Sequence, residues 1–438
     1  MCPGMSEFRS STESVLFDKK IFSGISEYVS PTALTLVCRV LKDVVRSAGI
    51  FYLSKHASSK YLVDGEYRTM VENCIDDPSR QLRLSLETSC GSWYFRVKLL
   101  QPVCVFAVDI LLDLTGKWSE SLTDILNIFP SVERLGIQST SNRKIPSSAL
   151  SICQKLKVVD LKNCEIDGSP GSLCLPELEE IFFSSASAFE SEVFSLSFAV
   201  KQISLSNISL SEPCFASLCT TFPQLQSLKL EKITLNSDKS ETETEIEGFA
   251  NLTRLDCPPF ILKFVPSSTP IRELRLNSDV SEGKEAVEAL VFELLRFPLI
   301  TAISFVSICV DDLPRFRHVR NLQKIGCVHG LYRNANVAVL AEFTELSDVS
   351  FYGPWPSLQV DFTPLTGLPN LRSIDLKQFI GQIDLAVLRE CKSLEVIHIR
   401  RSSVRDNDEV SDWKVIHWLD EADEMSITPA DLLTPYKF

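Results

Sequence analysis

The chain is short of the residues on which most enzymes and metal proteins depend. It carries five histidines in 438 residues, and no two of its 14 cysteines form a C-x-x-C pair. Zinc sites and disulfide frameworks need paired spacing, so single scattered cysteines read as small buried hydrophobes in a reducing compartment. The sequence contains no G-x-x-x-x-G-K-[ST] loop to cradle phosphate, no G-x-G-x-x-G, no H-E-x-x-H and no G-x-S-x-G. It lacks any apolar run near the ~18 residues of a membrane span, and no charged-then-apolar leader opens it. Basic charge is also scarce: a net charge of −13 argues against a general phosphate-backbone binder. The expectation is a cytoplasmic or nuclear protein with no cofactor, no metal, no membrane contact, no nucleic acid and no catalysis of its own.

What the chain has in quantity is a recurring apolar frame. Leu225-Gln226-Ser227-Leu228-Lys229-Leu230-Glu231-Lys232-Ile233-Thr234-Leu235 reads L-x-x-L-x-L-x-x-I-x-L. Leu228 and Leu230 alternate with Ser227, Lys229 and Glu231, so a short strand turns its leucines inward and its polar residues outward. The frame recurs with its first position at Val105, Val132, Leu156, Leu178, Val200, Leu225, Leu252, Ile271, Ile300, Leu322, Leu346, Leu371, Leu394 and Trp413. The steps average about 24 residues, inside the ~20–29 of such repeats. Proline stands just before the frame at Pro130, Pro176, Pro223, Pro298 and Pro369, where it ends the preceding segment. Pro258-Pro259 instead cuts a strand short.

Over residues 105–420 the chain resembles leucine-rich-repeat proteins. The resemblance implies an α/β solenoid with a curved parallel sheet on its concave face. No single unit buries its own apolar face, so the units stack. Before the array, residues 58–104 read as irregular early repeats or an N-terminal cap, with strand-like alternation at Gln81–Leu86 and Trp93–Leu99 and a hairpin as one arrangement. Residues 237–247 read as an acidic solvated loop, and 421–438 as a C-terminal cap or tail.

Residues 1–13 read as a loose tail, and 14–57 as helical. Phe17, Ile21, Ile25 and Tyr28 share one face, Ser30-Pro31 opens a second helix, and Leu34, Val37, Leu41, Val44 and Val45 line it. Ile21-Phe22, the corner Tyr28-Val29-Ser30-Pro31, Leu34 and Val37-Cys38-Arg39-x-Leu41 resemble the F-box. The segment departs from that family in having no Leu-Pro opening, in Ala33 where an acid is usual, and in Leu41 where an aromatic is usual. The resemblance implies a substrate adaptor of a cullin-type (SCF) ubiquitin ligase. Ile21, Ile25, Leu34, Val37, Cys38 and Leu41 would bind a Skp-type adaptor, and the repeats a target protein. The alternative is a scaffold or recognition protein whose N-terminal helices only cap the solenoid.

Two rows of residues stand out for binding. The outward positions between paired core residues run Ser350, Asp375, His398 and His417. As a hydrolase the row fails, since parallel strands lie about 4.8 Å apart and Ser350 and His398 are two strands apart, beyond the ~3 Å that a nucleophile and its base need. The positions after the second core residue run Val306, Val328, Tyr352, Lys377 and Arg400. Apolar residues on a solvated face mark a contact surface, with Tyr352 as anchor, Lys377 and Arg400 meeting acidic groups, and Asp375 and His398 adding directional polar groups.

Overall fold

The computed structural model describes residues 50–53, 81–87, 107–114, 122–185, 189, 191–194, 199–236, 249–277, 284–329, 337–352, 361–377, 385–400 and 416–419. Sixteen strands form one parallel sheet in chain order: β1 (Ile50–Leu53), β2 (Gln81–Glu87), β3 (Ala107–Asp113), β4 (Arg134–Pro146), β5 (Val158–Asp167), β6 (Glu180–Ser184), β7 (Gln202–Ser206), β9 (Ser227–Glu231), β11 (Arg254–Cys257), β12 (Glu273–Leu276), β13 (Ala302–Cys309), β14 (Lys324–His329), β15 (Asp348–Tyr352), β16 (Ser373–Lys377), β17 (Val396–Arg400) and β18 (Ile416–Leu419). Two further strands, β8 (Ser209–Ser211) and β10 (Thr234–Asn236), pair with each other one repeat apart. Helices α1 (Leu122–Leu126), α2 (Ser147–Leu150), α3 (Glu212–Thr221) and α4 (Lys284–Leu294), with six short 3-10 segments, fill the returns between strands. This sheet, unbroken in order and parallel at every step, is the leucine-rich-repeat solenoid.

The register of the sheet coincides with the apolar frame. Ile110, Leu135, Val159, Ile181, Ile203, Leu228, Leu255, Leu274, Ile303, Ile325, Val349, Ile374, Ile397 and Ile416 oppose one another in sequence across fourteen strands. Those from Ile110 to Ile397 are buried, and each contributes roughly 1.5–3 kcal/mol of side-chain burial. The frame begins two residues late in its first unit: Ile110, not Val108, opposes Leu135, so the unit expected from Val105 starts at Ala107. The sheet also starts earlier than expected. β1 lies inside the stretch read as helical to residue 57. β2 pairs in parallel with both β1 and β3, which makes it a repeat strand and not one arm of a hairpin. The F-box-like residues Ile21, Ile25, Leu34, Val37, Cys38 and Leu41, the alternation at 93–99, the loop 237–247 and the ends 1–13 and 421–438 lie outside the described residues.

Local chemistry explains how each unit enters and leaves its strand. Leu178, Leu225 and Ile300 each donate a backbone N–H to the carbonyl of the residue before the proline, Leu175, Phe222 or Phe297, at 3.1–3.2 Å. Proline at the second position of such a turn has its φ already set. The residue before it is a buried aromatic or leucine that plugs the core. Beyond the paired core residues, Asn163 (within β5), Ser185, Asn207 and Lys232 occupy one equivalent position, two after the second core residue, with φ of 53°, 57°, 57° and 52°. This left-handed corner turns the next residue of three of the units, Cys164, Ile208 or Ile233, into the core, and asparagine suits it best among residues with a side chain. Burial raises the thiol of Cys164 to about 12 and that of Cys153 to about 11, so both act as packing groups and not as nucleophiles.

β11 shows how the fold absorbs a break. In the ladder β9 accepts from β11 at every second residue: Arg254 N–H reaches Gln226 oxygen, and the same step assigns the Leu230 oxygen to residue 258. Residue 258 is proline and has no N–H. Asn277, from the end of β12, reaches across and donates its side-chain Nδ2 to the Leu230 oxygen and, at 2.8 Å, to Asp256 Oδ1. A side-chain amide one repeat further on thus replaces the missing backbone donor.

Candidate functional site: the open face of the sheet

The strands turn one set of side chains into the core and leave the other on the open face, where charged side chains pair across neighbouring repeats. Glu133 meets Lys157 at 3.0 Å, Glu179 meets Lys201 at 3.7 Å, Arg254 meets Glu273 at 2.7 Å, Asp256 meets Arg275 at 3.8 Å, and Lys324 meets Asp348 at 3.7 Å. Each pair joins neighbouring repeats at the same or equivalent positions. These half-exposed pairs contribute about 0–1 kcal/mol each, but they fix a pattern of alternating sign along the strand starts. The sequence holds this signal: Glu133, Lys157, Glu179 and Lys201 each follow the first frame residue directly, and sequence reasoning passed over them.

Between those pairs the face dips. A depression of 390 Å³ spans β6, β7, β9, β11 and β12, with Glu179 and Glu180 at one end, Arg272 and Glu273 at the other, and Gln202, Gln226 and Ser227 between. Deeper on the face, Asp160 and Asp256 hold protons more tightly than ordinary aspartates. Partial burial is the chief cause, opposed by Arg134 and Lys162 at the first and by Arg275 and Lys229 at the second.

The residues singled out from sequence fall on the C-terminal part of this face. Ser350, Asp375, His398 and His417 oppose one another on β15 to β18, forming one row. Tyr352, Lys377 and Arg400 form a second row, which ends at Leu419. Val306 is 43% exposed on β13. Val328 does not join that row. The pairing slips between Ser304 and Ile308 on β13 and again between Ile325 and Val328 on β14, so Val328 opposes Ile308 and Phe351, two core positions. The slip follows Gly326, where an added Cβ would come within 2.7 Å of Ser304 Oγ. A five-residue apolar-to-basic row is therefore broken after Val306 and resumes at Tyr352. Counting from the frame cannot see an extra residue inside a strand.

Ser350 and His398 stand two strand steps apart, about 10 Å. Among the described residues no group of three or more His, Cys, Asp or Glu side chains is placed to hold a metal ion, and no helix is long and apolar enough to cross a membrane. Arg315 is engaged with Glu288 and, at 3.3 Å, with Asp312.

No family model matches the sequence, and no curated protein does. Among solved structures, the chain is similar to an internalin from Listeria monocytogenes, at 12% identity and a TM-score of 0.34, over 74% of this chain and 83% of that one. It is also similar to a leucine-rich-repeat protein of Leptospira interrogans, at 12% identity and a TM-score of 0.37, over 80% of this chain and 92% of the other. The strand pairing described above carries the fold on its own.

Proposed function

We propose that the chain is a protein-binding module that holds its partner on the open face of the parallel sheet, towards the C-terminal end. The observation that supports this is the register of β15 to β17. It sets Tyr352, Lys377 and Arg400 side by side at steps of about 4.8 Å, with Asp375 and His398 in the adjacent row. Tyrosine and arginine dominate binding energy at protein interfaces because they offer large contact area with directional polar tips. Tyr352 serves as the anchor, and Lys377 and Arg400 meet acidic groups of the target. Tyr352→Ala and Arg400→Ala each weaken target capture by roughly tenfold or more without lowering Tm. Full capture by both variants places the contact elsewhere on the molecule.

The finer reading is a substrate adaptor of a cullin-type ubiquitin ligase, with the Skp-type adaptor held by Ile21, Ile25, Leu34, Val37, Cys38 and Leu41. It rests on the sequence resemblance. A specific observation favours the second reading, a scaffold whose N-terminal segment caps the solenoid. Among the described residues the sheet starts at Ile50, nine residues after Leu41, which sets the F-box-like residues close in sequence to the first strand. A pull-down with purified Skp-type adaptor separates the two. The adaptor reading requires binding by the parent chain and its loss in Val37→Asp with Leu41→Asp while the repeats stay folded. No binding by the parent, or unfolding of the double variant, favours the cap.

A further inference from the structure

The helical side of the solenoid carries one feature that neither the fold nor the sheet face accounts for. Helix α4 buries one face, and its solvent side mixes Glu285 and Glu288 with exposed apolar residues. Val287, Leu290, Val291 and Leu294 face the core and are buried. On the opposite side Ala286 and Ala289 are exposed, Phe292 is 70% exposed, and Leu295, one residue past the helix end, is 50% exposed. Leu299 follows at 49%. Large apolar side chains exposed next to one another mark contact surfaces on soluble proteins. Here the stripe is left to solvent among the described residues. With eleven residues α4 is the longest of the described helices.

We infer that a second copy of this chain covers this stripe, through an antiparallel pairing of α4 with α4. Charge selects the occupant. The N-terminal half of the helix exposes Glu285 and Glu288, the latter still 56% exposed while paired with Arg315. The other end is basic. Arg296, partly exposed beside Glu293, sends its guanidinium to the carbonyls of Leu262 (3.4 Å) and Val265 (2.9 Å), which brings the segment Pro259–Phe264 alongside. That segment presents Lys263, which is exposed. A two-fold axis near Ala289 and Phe292 sets the acidic end of each copy against the basic end of the other, so the surface is complementary to itself. The helix dipoles then oppose each other favourably. The exposed apolar area is on the order of 350 Å² per copy, a size that marks contact sites on soluble proteins. Two copies bury about 700 Å² of this apolar surface, and the charged rim of Glu285 and Lys263 must supply the rest of the roughly 1,200 Å² where stable interfaces begin.

Sedimentation velocity of the full chain over a concentration series tests this. The parent moves from one 49.1 kDa chain towards twice that mass as concentration rises. Phe292→Glu stays monomeric, and its exposure lets it fold with an unchanged circular-dichroism melt. Lys263→Glu raises the dimer dissociation constant roughly tenfold, and adding Glu285→Lys in the same chain restores it. A parent that stays monomeric up to about 100 μM, far above ordinary dimer affinities, overturns the proposal and leaves the stripe to a different protein. Dimerisation undiminished in Phe292→Glu overturns it as well.

Discussion

The repeats from β5 to β9 and those from β13 to β17 are built from one frame but differ in how they hold it. In the first group each repeat has a left-handed corner at the same position, at Asn163 within β5 and at Ser185, Asn207 and Lys232 just past β6, β7 and β9. The pairing across β5, β6, β7 and β9 runs without a slip over the five residues that oppose in each strand. In the second group the pairing slips twice, and each return carries a 3-10 segment: Val310–His318, Val337–Glu342, Thr363–Gly367 and Leu385–Glu390. The inner core position survives in both, from Val159 to Ile397, because burying a large apolar side chain outweighs what a bulge costs locally. The open face does not survive equally. One extra residue moves a side chain to the other side of the sheet, so the face is the part of the fold most easily rewritten.

The largest expected effect tests the alternation in the regular group. Leu228 is fully buried and Lys229, its neighbour, lies on the open face. Leu228→Asp forfeits roughly 1.5–3 kcal/mol of burial and adds a carboxylate in an apolar site. Chemical denaturation should show a loss beyond about 3 kcal/mol, whereas Lys229→Ala should change stability by less than about 1 kcal/mol. Equal melting of Leu228→Asp and the parent would mean that the frame is misplaced.

A middle-sized effect belongs to the break between the two groups. Asn277→Ala removes the donor that replaces the missing N–H at Pro258, at a cost of about 1–2 kcal/mol for an orphaned carbonyl. Pro258→Ala in the same chain returns a backbone donor and should recover a good part of that loss. In a double-mutant cycle by urea denaturation, additive costs would show that the two residues act separately.

A smaller effect concerns the charged face. The Asp160 carboxyl has a raised pKa in the folded chain, because burial disfavours its charged form more than Arg134 and Lys162 favour it. The folded state therefore takes up protons more readily than the unfolded one. The contribution of Asp160 to stability is fullest below the ordinary carboxylate pKa and falls as pH rises through the folded value. Asp160→Asn should raise Tm at pH 7, and the gain should shrink towards pH 3. A gain that persists undiminished in acid would trace to packing and not to charge.

Much of the architecture was legible in the sequence because its period is set by burial, and burial leaves an apolar residue behind at each step. Leu156, Leu178, Leu225, Ile271, Ile300 and Leu346 are all fully or nearly fully buried, at the frame positions assigned to them. The first unit was misplaced because Ile110, Leu111 and Leu112 are all apolar, so alternation there cannot fix the register. Of the two strands ahead of it, β2 was legible as an alternating pattern, while β1 fell inside the stretch read as helical. The proposed contact rows were half legible. Ser350, Asp375 and His398 follow from the frame, while Val328 does not, because its displacement depends on residues inserted within β13 and β14. The alternating charges along the strand starts stand at one frame position and were legible though passed over, whereas the Asn277 bridge needs neighbours a repeat away, which a linear reading does not supply.

The register at the C-terminal end underlies the proposed binding face, and cross-strand disulfide trapping reads it directly. Asp375→Cys with His398→Cys places two thiols opposite each other on β16 and β17, within reach of a disulfide. Lys377→Cys with His398→Cys sets them two residues out of step. Under mild oxidation, peptide mass spectrometry should find the linked peptide in the first variant and at most a trace in the second. Efficient linkage in the second and none in the first would contradict the strand pairing, and with it the side-by-side row of Tyr352, Lys377 and Arg400.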